Sequence, residues 1–261
     1  MTLVDTSDLK YQASKDFEPN KGSTWKHPME KDGWTLAHNS LRVEMSKMVE
    51  SVQAAAKDIG TKPLEQWQID CIVKFWNVHH EHIHAHHSNE DDLFMPYLKT
   101  RIKIDDKVSA DHDELLKFMD QIQTTVNNLK VGSSNSNLDD LLKLLQEYEN
   151  LMKPHLLEEE QECLPLLRAY FTPDEVAPKV QEILSHGPKA EMGSFISAMG
   201  VDTFYNEFMK QENIPFFVWY IDFRFRYNHF QKEFQVPIDA LRNNVPPKQP
   251  RPFWAVWSWF S

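Results

Sequence analysis

The sequence predicts an all-α fold: an antiparallel four-helix bundle with additional C-terminal helices and an aromatic-rich tail. Two observations predict it. Apolar residues recur at three- and four-residue steps along four long segments, which is the period of an amphipathic helix. Short loops join these segments, and helices joined in this way bury their apolar faces most economically against one another in a bundle.

Four helices are predicted to follow an irregular N-terminal arm in which turn-forming residues are frequent. Gly60 and Pro63 separate the first two helices, and the sequence VGSSNSN (131–137) predicts a flexible loop before the fourth. Pro154, inside the fourth segment, predicts a kink or a π-bulge there, or a helix divided into two pieces. The predicted bounds, in chain order, are 34–60, 63–100, 106–129 and 138–170.

The chain after the bundle is predicted to contain shorter helices. One starts within 171–174 and ends at Gly187, and Pro215 and Pro237 mark later boundaries. The predicted domains are an irregular N-terminal arm (1–33), a four-helix bundle (34–170), a helical extension that packs on the bundle (171–245) and a Pro/aromatic tail (246–261).

Aromatic residues are concentrated near the C-terminus, where the last 61 residues hold 17 of the 31 in the chain. Such a density of aromatic side chains requires burial, so we expect this region to pack on the bundle or on a partner. The tail 246–261 is expected to dock on the bundle; a protein partner or a membrane interface is the alternative.

Composition excludes several function classes. The chain has 28 Lys and Arg against 39 Asp and Glu, a formal net charge of −11, which argues against nucleic acid and anionic membranes as partners. No apolar run is long enough for a membrane span, and the first residues do not resemble a secretory signal. Only two cysteines and seven glycines occur, so a disulfide framework and Gly-rich nucleotide loops are disfavoured. We expect a cytoplasmic protein.

The second and fourth helices repeat one spacing of polar residues. His86 precedes Glu90 by four residues and His155 precedes Glu159 by four, and in both cases a proline follows the histidine by ten. Four residues is about one helical turn, so each imidazole and carboxylate pair projects from one face toward one point.

The first and third helices each add a histidine, His38 and His112, on the predicted apolar stripe. Burying four imidazoles and two carboxylates in an apolar core is costly unless they are paired or bind a metal. Imidazole and carboxylate together suit iron, manganese or zinc, and bundle cores hold metals in this way. The predicted metal ligands are His38, His86, Glu90, His112, His155 and Glu159.

This pattern resembles the hemerythrin-like, or HHE, cation-binding domain over about residues 34–170. The run HHSNEDDLFMP (86–96) is similar to the signature block of that family, and HLLEEEQECLP (155–165) resembles its second block. The resemblance implies a non-haem di-iron centre and a role in iron or oxygen sensing, storage or detoxification, with oxygen or a similar small molecule as ligand.

By the same resemblance, His38 and His86 would bind one iron, and His112 and His155 the other, with the two glutamates as bridges. The oxygen-carrying members place a further histidine one turn after the third-helix ligand, where this chain has Leu116. The departure leaves more open metal positions and implies the eukaryotic iron-binding type.

Other polar residues near these motifs are expected to be solvated. His80, Glu81 and His84 match the H-E-x-x-H pattern of zinc peptidases, but they continue a polar face and no third ligand follows. Asp91 and Glu160 are expected in solvent, as are five histidines: His79, His80, His82, His84 and His87. The alternative is that His79 or His82 supports the metal site or its access, or forms a pH-sensitive surface.

Two other functions remain open. An open di-iron site could oxidise a substrate or handle nitric oxide as an enzyme, although no second constellation of substrate-binding residues is apparent. The aromatic C-terminal region could instead dock a protein partner under the control of metal occupancy.

Overall fold

The computed structural model describes residues 4–5, 25–60, 62–103, 107–132 and 135–248, and it confirms the all-α prediction. The first five helices are α1 (Gly33–Ile59), α2 (Gln66–Asn89), α3 (Met95–Lys99), α4 (Lys107–Asn127) and α5 (Asn135–Tyr170). A 3₁₀ turn (Met29–Lys31) precedes α1, and a π-helical segment (Glu90–Phe94) joins α2 to α3. Within the described ranges, strand pairing is limited to two residues each in β1 (Val4–Asp5) and β2 (Ile102–Lys103).

The long helices pack side by side, and α1 runs antiparallel to α5. Arg42 on α1 pairs with Glu160 on α5 at 2.7 Å, whereas Ser46, one turn later, bonds Glu149, which lies eleven residues earlier on α5. Their buried faces form one apolar core, in which each fully buried aliphatic side chain contributes about 1.5–3 kcal/mol relative to exposure. Representative core residues, one from each long helix, are Leu41, Ile72, Met119 and Leu145.

Local side-chain contacts fix where the helices begin. Asp32 caps α1 by accepting a hydrogen bond from the backbone N–H of Trp34, and it also pairs with Arg168 at 2.6 Å. Arg168 lies near the end of α5, so this contact holds the start of one bundle helix against the end of another. Glu65 and Gln68 form a reciprocal capping box at the start of α2.

The helical extension continues with α6 (Pro173–His186), α7 (Lys189–Met199), α8 (Val201–Thr203), α9 (Met209–Gln211), α10 (Arg224–Phe230) and α11 (Val236–Arg242). Three π-helical segments, Phe204–Phe208, Trp219–Phe223 and Gln231–Gln235, lie between them. The extension covers α1 and α2: Arg242 bonds Glu50 on α1, and Gln68 on α2 bonds Asn244.

Burial of the aromatic residues in this extension is uneven. Phe204, Phe230 and Phe234 are buried, and the ring of Phe234 contacts Phe75 of α2. A second set is exposed, namely Phe216, Phe217, Tyr220 and Phe225, together with the aliphatic Ile221. This set therefore does not pack on the bundle, and burial against a partner stays a prediction for it. The tail beyond residue 248 lies outside the described residues.

Several prolines lie within continuous helical structure, including two at which the sequence predicts a break or a distortion. Pro96 and Pro237 each follow a π-helical segment by two residues, and the helix continues through both. A wider turn makes room for a ring that lacks an N–H and would otherwise clash with a carbonyl four residues earlier. Pro237 therefore lies at the change from a π-helical segment to α11, and the helix does not end there. Pro154 lies inside an uninterrupted α5, so the predicted π-bulge or division at this residue is wrong.

None of the helices in the described ranges combines the length and the apolar character that a membrane span requires.

Close packing of α7 on α10 generates a stability prediction. A Cβ at Gly193 would lie 2.5 Å from the carbonyl oxygen of Arg226 and 2.5 Å from Phe230 Cβ, and neither atom moves without a shift of α10. We expect Gly193→Ala to lower the free energy of unfolding by about 1–3 kcal/mol in urea denaturation.

The matched control is Gly33→Ala at the first residue of α1, where a Cβ would meet nothing within 4 Å. This variant is expected to change the free energy of unfolding by less than about 0.5 kcal/mol. Equal urea midpoints for the two variants would contradict the close approach of α7 and α10.

Candidate metal centre

The six residues predicted as ligands come together inside the bundle, and each has 7% or less of its surface exposed. They are His38 on α1, His86 on α2, Glu90 at the start of the following π-helical segment, His112 on α4, and His155 and Glu159 on α5. Potential ligand atoms gather in two groups, each with its atoms within 4.8 Å of one another. The first group is His38, His86, Glu90 and Glu159, and the second is His87, His112 and His155.

Each glutamate directs its two oxygens toward different groups. Glu90 Oε1 lies 3.3 Å from His86 Nε2, and its Oε2 lies 3.7 Å from His112 Nε2. Glu159 Oε2 lies 3.6 Å from His38 Nε2, and its Oε1 lies 3.5 Å from His112 Nε2 and 3.6 Å from His155 Nε2. Both carboxylates therefore lie between the two sets of imidazoles.

His87 is a candidate ligand that the sequence analysis missed. The expectation of a solvated His87 is wrong, because the side chain is buried and stacks on His112 with ring centroids 4.2 Å apart. Consecutive residues of a helix point about 100° apart, so His86 faces α1 while His87 faces α4 and α5. The signal was the adjacent histidine pair itself. His87 thus brings a further imidazole to the second ligand group, next to His112.

Two carboxylates outside the ligand groups orient two of the histidines. Glu160 Oε1 lies 2.9 Å from His38 Nδ1, and Asp91 Oδ2 lies 3.0 Å from His112 Nδ1. Because a carboxylate accepts, each Nδ1–H donates, and Nε2 of each ring points toward the glutamates. Such carboxylate–histidine contacts fix the ring orientation of metal ligands. The expectation that Glu160 is solvated is wrong, and Asp91, although exposed, is bonded to His112.

Trp34 closes one side of the first group, and the sequence analysis gave it no role there. Its indole N–H lies 2.8 Å from His38 Nε2 and 3.0 Å from Glu90 Oε1, and its ring packs on Phe94. When His38 Nε2 holds a proton or a cation, the indole N–H keeps only its hydrogen bond to Glu90.

Almost all buried polar atoms without a hydrogen-bond partner lie at this centre. In the described part of the chain, such side-chain atoms belong to the following residues: His86, His87, Glu90, His112, His155, Glu159 and Arg242. Only Arg242 lies elsewhere. Leaving a buried polar atom unpaired costs about 1–3 kcal/mol, so a concentration of such atoms marks a place where another group belongs.

Neighbouring carboxylates favour protonation of two of the histidines. Burial opposes the charge on His38, but Glu160 and the central glutamates outweigh it and raise its pKa to about 9. Burial likewise opposes protonation of His112, and Glu159 and Asp91 raise its pKa to about 9. Without a metal, these protons take the place of cationic charge at the centre.

The other two predicted imidazoles remain neutral. Burial lowers the pKa of His86 to about 3, and burial together with His112 lowers that of His155 to about 4. Burial and the charge of Glu90 raise the pKa of Glu159 to about 7. A neutral imidazole keeps a lone pair on one ring nitrogen, and this is the form that binds a cation.

A second buried polar cluster adjoins the centre. The carboxylate of Glu44 on α1 lies 2.6 Å from His79 Nδ1 and 2.9 Å from His82 Nδ1, and His79 Nε2 lies 3.1 Å from the hydroxyl of Tyr148. The expectation that His79 and His82 are solvated is wrong, because both are almost completely buried. We call Glu44, His79, His82 and Tyr148 the Glu44 cluster.

The H-E-x-x-H pattern lies outside both ligand groups. His80 and His84 contact each other on the outer side of α2 with ring centroids 4.7 Å apart, and Glu81 is exposed. His84 is exposed and His80 is half-buried against Trp76. This geometry does not favour the zinc peptidase interpretation.

The helical fold and the buried histidines and glutamates, with their unpaired atoms, define a candidate cation-binding protein. A family model agrees: the hemerythrin HHE cation-binding domain matches residues 32–167. The chain belongs to this family. No curated protein and no solved structure matches the chain.

Orientation of the ligand histidines is testable with a redox-inert cation. Asp91→Asn replaces the acceptor of His112 Nδ1, and we expect it to weaken zinc binding about 10–100-fold in isothermal titration. Glu160→Gln, which changes the acceptor for His38, is expected to act in the same direction.

The control for these variants is Asp92→Asn, which removes the same charge at the exposed neighbouring residue. We expect its zinc affinity to stay close to that of the unmodified protein. Equal weakening by D92N and D91N would mean that overall charge, and not ring orientation, sets the affinity.

The Glu44 cluster generates a pH prediction. Burial opposes the charge on Glu44, but His82 and His79 lower its pKa from 4.5 to about 2, so its stabilisation exists above pH 4.5 and is lost as the pH falls through 2. Burial also opposes the charge on His82, but Glu44, aided by Glu191, raises the pKa of His82 above 6.5. The stabilisation by His82 exists below pH 6.5 and is lost as the pH rises through the raised pKa.

We therefore expect Glu44→Gln to lower the free energy of unfolding most between pH 4.5 and 6.5. In that range both partners are charged, and breaking a buried ion pair costs about 3–5 kcal/mol. The cost should decrease in alkaline solution, as measured by urea denaturation of metal-free protein. Glu50→Gln, which removes an exposed partner of Arg242 on the same helix, serves as the control. If the loss of unfolding free energy in E44Q did not change with pH, the charged pair of Glu44 and His82 would be ruled out.

Proposed function

We propose that this protein binds two iron ions in a non-haem centre and uses open positions there to bind oxygen or a related small molecule. The observation that carries the proposal is the orientation of Glu90 and Glu159, each with one oxygen toward each group of imidazoles. Carboxylates placed in this way are suited to bridge two cations.

The donor types support iron. Imidazole nitrogens and carboxylate oxygens surround the centre, and no thiolate belongs to either ligand group within the described residues. In this assignment, His38 and His86 hold one ion, and His112 and His155 hold the other with help from His87. Manganese and zinc accept similar donors, so the metal itself is part of the proposal.

The protein groups leave room for an external ligand. The first group offers two imidazoles and two carboxylates. An octahedral metal ion binds about six ligand atoms, so positions remain open. Reduced iron at such a position would bind and reduce oxygen or a related molecule. Trp34, which bonds Glu90, packs on Phe94 beside this group, and the ligand side chains themselves are almost completely buried. In so dry a region the attraction between bound cations and the glutamates is weakly screened.

The role that fits this centre best is iron or oxygen sensing, storage or detoxification in the cytoplasm. An oxidase or peroxidase activity of the same centre is the second candidate, and the open positions in the first group favour it. Continuous consumption of oxygen or peroxide would indicate an enzyme, whereas uptake limited to one equivalent per centre would indicate a binding protein.

Metal loading tests the proposal directly. We expect protein that is loaded with ferrous iron under anaerobic conditions to retain two ions per chain in native mass spectrometry. Exposure to oxygen should then produce near-ultraviolet charge-transfer absorption from bridged ferric ions. Loading should also raise the melting temperature, because the metal binds the folded state.

Glu159→Gln removes one bridging carboxylate and is expected to reduce the bound iron to one ion or none. Asp92→Asn, on the exposed surface nearby, is the matched control and should retain both ions. Two retained ions in E159Q, or fewer than two in the unmodified protein, would refute a glutamate-bridged pair.

A further inference from the structure

The Glu44 cluster lies next to the candidate metal centre but contributes no ligand to it. All four of its side chains are at most 1% exposed. Tyr148 precedes His155 by seven residues on α5, and His82 precedes His86 by four on α2. At 1.5 Å per residue, these separations are about 6–10 Å along the helices.

The hydrogen bonds of the cluster have a defined direction. A carboxylate only accepts, so Nδ1–H of both His79 and His82 donates to Glu44. With Nδ1–H directed at Glu44, the other ring nitrogen of His79, Nε2, is the one placed to accept the phenol O–H of Tyr148, at 3.1 Å. The proton of Tyr148 therefore points at a base, and that base is bonded to a carboxylate.

This direction matters because the phenol does not ionise by itself. Burial and the charge of Glu44 raise the pKa of Tyr148 far above its usual range. A tyrosine that loses an electron becomes a very strong acid, so oxidation is accessible only where a base takes the proton at the same time. His79 Nε2 is such a base, and the carboxylate of Glu44 stabilises the imidazolium that results.

An aromatic path leads from Tyr148 toward the surface. The ring of Trp76 lies 6.4 Å from Tyr148 and 5.7 Å from the half-buried His80, and the indole N–H donates to Gln123. Rings at these separations are in contact or nearly so. Tyr148 thus lies between the metal centre and a route by which an electron can be supplied from outside.

We propose that Tyr148 is a redox-active tyrosine. Hydrogen peroxide takes two electrons and two protons to form two molecules of water, and with the iron ions already ferric, Tyr148 would supply these electrons one at a time, each together with loss of its phenol proton. In each transfer the O–H bond of Tyr148 breaks, and an N–H bond forms at His79 Nε2. The products are a neutral tyrosyl radical and an imidazolium beside Glu44. One electron from an external reductant, arriving by way of Trp76, returns the proton to the phenol.

The proposal rests on the proposed iron centre, and electron paramagnetic resonance tests it. Iron-loaded full-length protein is mixed with hydrogen peroxide and frozen. We expect a tyrosyl radical, identified because its hyperfine structure narrows in protein made with ring-deuterated tyrosine. Tyr148→Phe should abolish this signal, and Tyr97→Phe, whose hydroxyl instead bonds the backbone oxygen of Glu175, should retain it.

A second variant separates proton acceptance from hydrogen bonding. In His79→Gln, the amide N–H can donate to Glu44 and the amide oxygen can accept from Tyr148, but an amide is not a base. We expect normal iron content with a strongly reduced radical yield. An unchanged radical yield in H79Q would overturn the role of His79 as the proton acceptor.

A metal-free experiment separates this inference from the proposed function. Photogenerated tris(bipyridine)ruthenium(III) supplies the one-electron oxidant, and we expect a long-lived tyrosyl absorption that Y148F lacks. A photochemical radical at Tyr148 in a protein that retains no iron would overturn the proposed function alone. Bound and oxidised iron with no radical at Tyr148 in either experiment would overturn this inference.

Discussion

The cost of burying charge inside the helical bundle is the constraint on which the rest of the structure depends. Imidazoles and carboxylates from α1, α2, α4 and α5 meet in a region that excludes water, where isolated charges are expensive. In the metal-free protein, protonated His38 and His112 partly compensate the carboxylates. This compensation leaves Nε2 of His86 and both oxygens of Glu159 without hydrogen bonds. Cations satisfy the same atoms more completely, because each ion accepts several lone pairs at once.

Contacts at the helix ends hold the ligand-bearing helices in place, so the buried charged groups stay close to their partners. Asp32 caps α1 six residues before His38, nearly two helical turns, and pairs with Arg168 on α5. The π-helical segment that starts at Glu90 lets α2 continue past Pro96. Within that segment, Glu90 turns toward the centre while Asp91 reaches His112. The same local widening therefore accommodates a proline and places two neighbouring carboxylates on different atoms of one imidazole.

Much of the centre could be predicted from the sequence, because an imidazole and a carboxylate four residues apart share a helix face. This rule, with the apolar stripes of α1 and α4, selected His38 and His112 alongside the two His–Glu pairs. The same rule failed for His79, His82 and His87, because it assigns one buried face to each helix.

Helix α2 is buried on more than one side, and the single apolar stripe in its sequence does not predict this. The extension supplies the additional cover. Phe234 contacts Phe75 of α2, and the charge of the partly buried Glu191 of α7 helps to raise the pKa of His82. Where a helix lies between the bundle and a second layer, histidines on its polar face become internal. Asp91 and Glu160 were missed for a related reason, since an adjacent acidic residue gives no sign that its carboxylate reaches a ring on another helix. The Glu44 cluster shows that burial alone does not produce unpaired atoms. It consists of the same residue types as the centre, on three of the same helices and at equal depth, together with one phenol. Within the described residues, none of its four members has a buried side-chain atom without a partner. One carboxylate there serves two imidazoles, and the fourth member closes the chain of bonds. In this fold, buried histidines and a glutamate can therefore form all their hydrogen bonds with one another where no metal is needed. The unpaired atoms one to two turns away are therefore better explained by a bound cation than by imperfect packing.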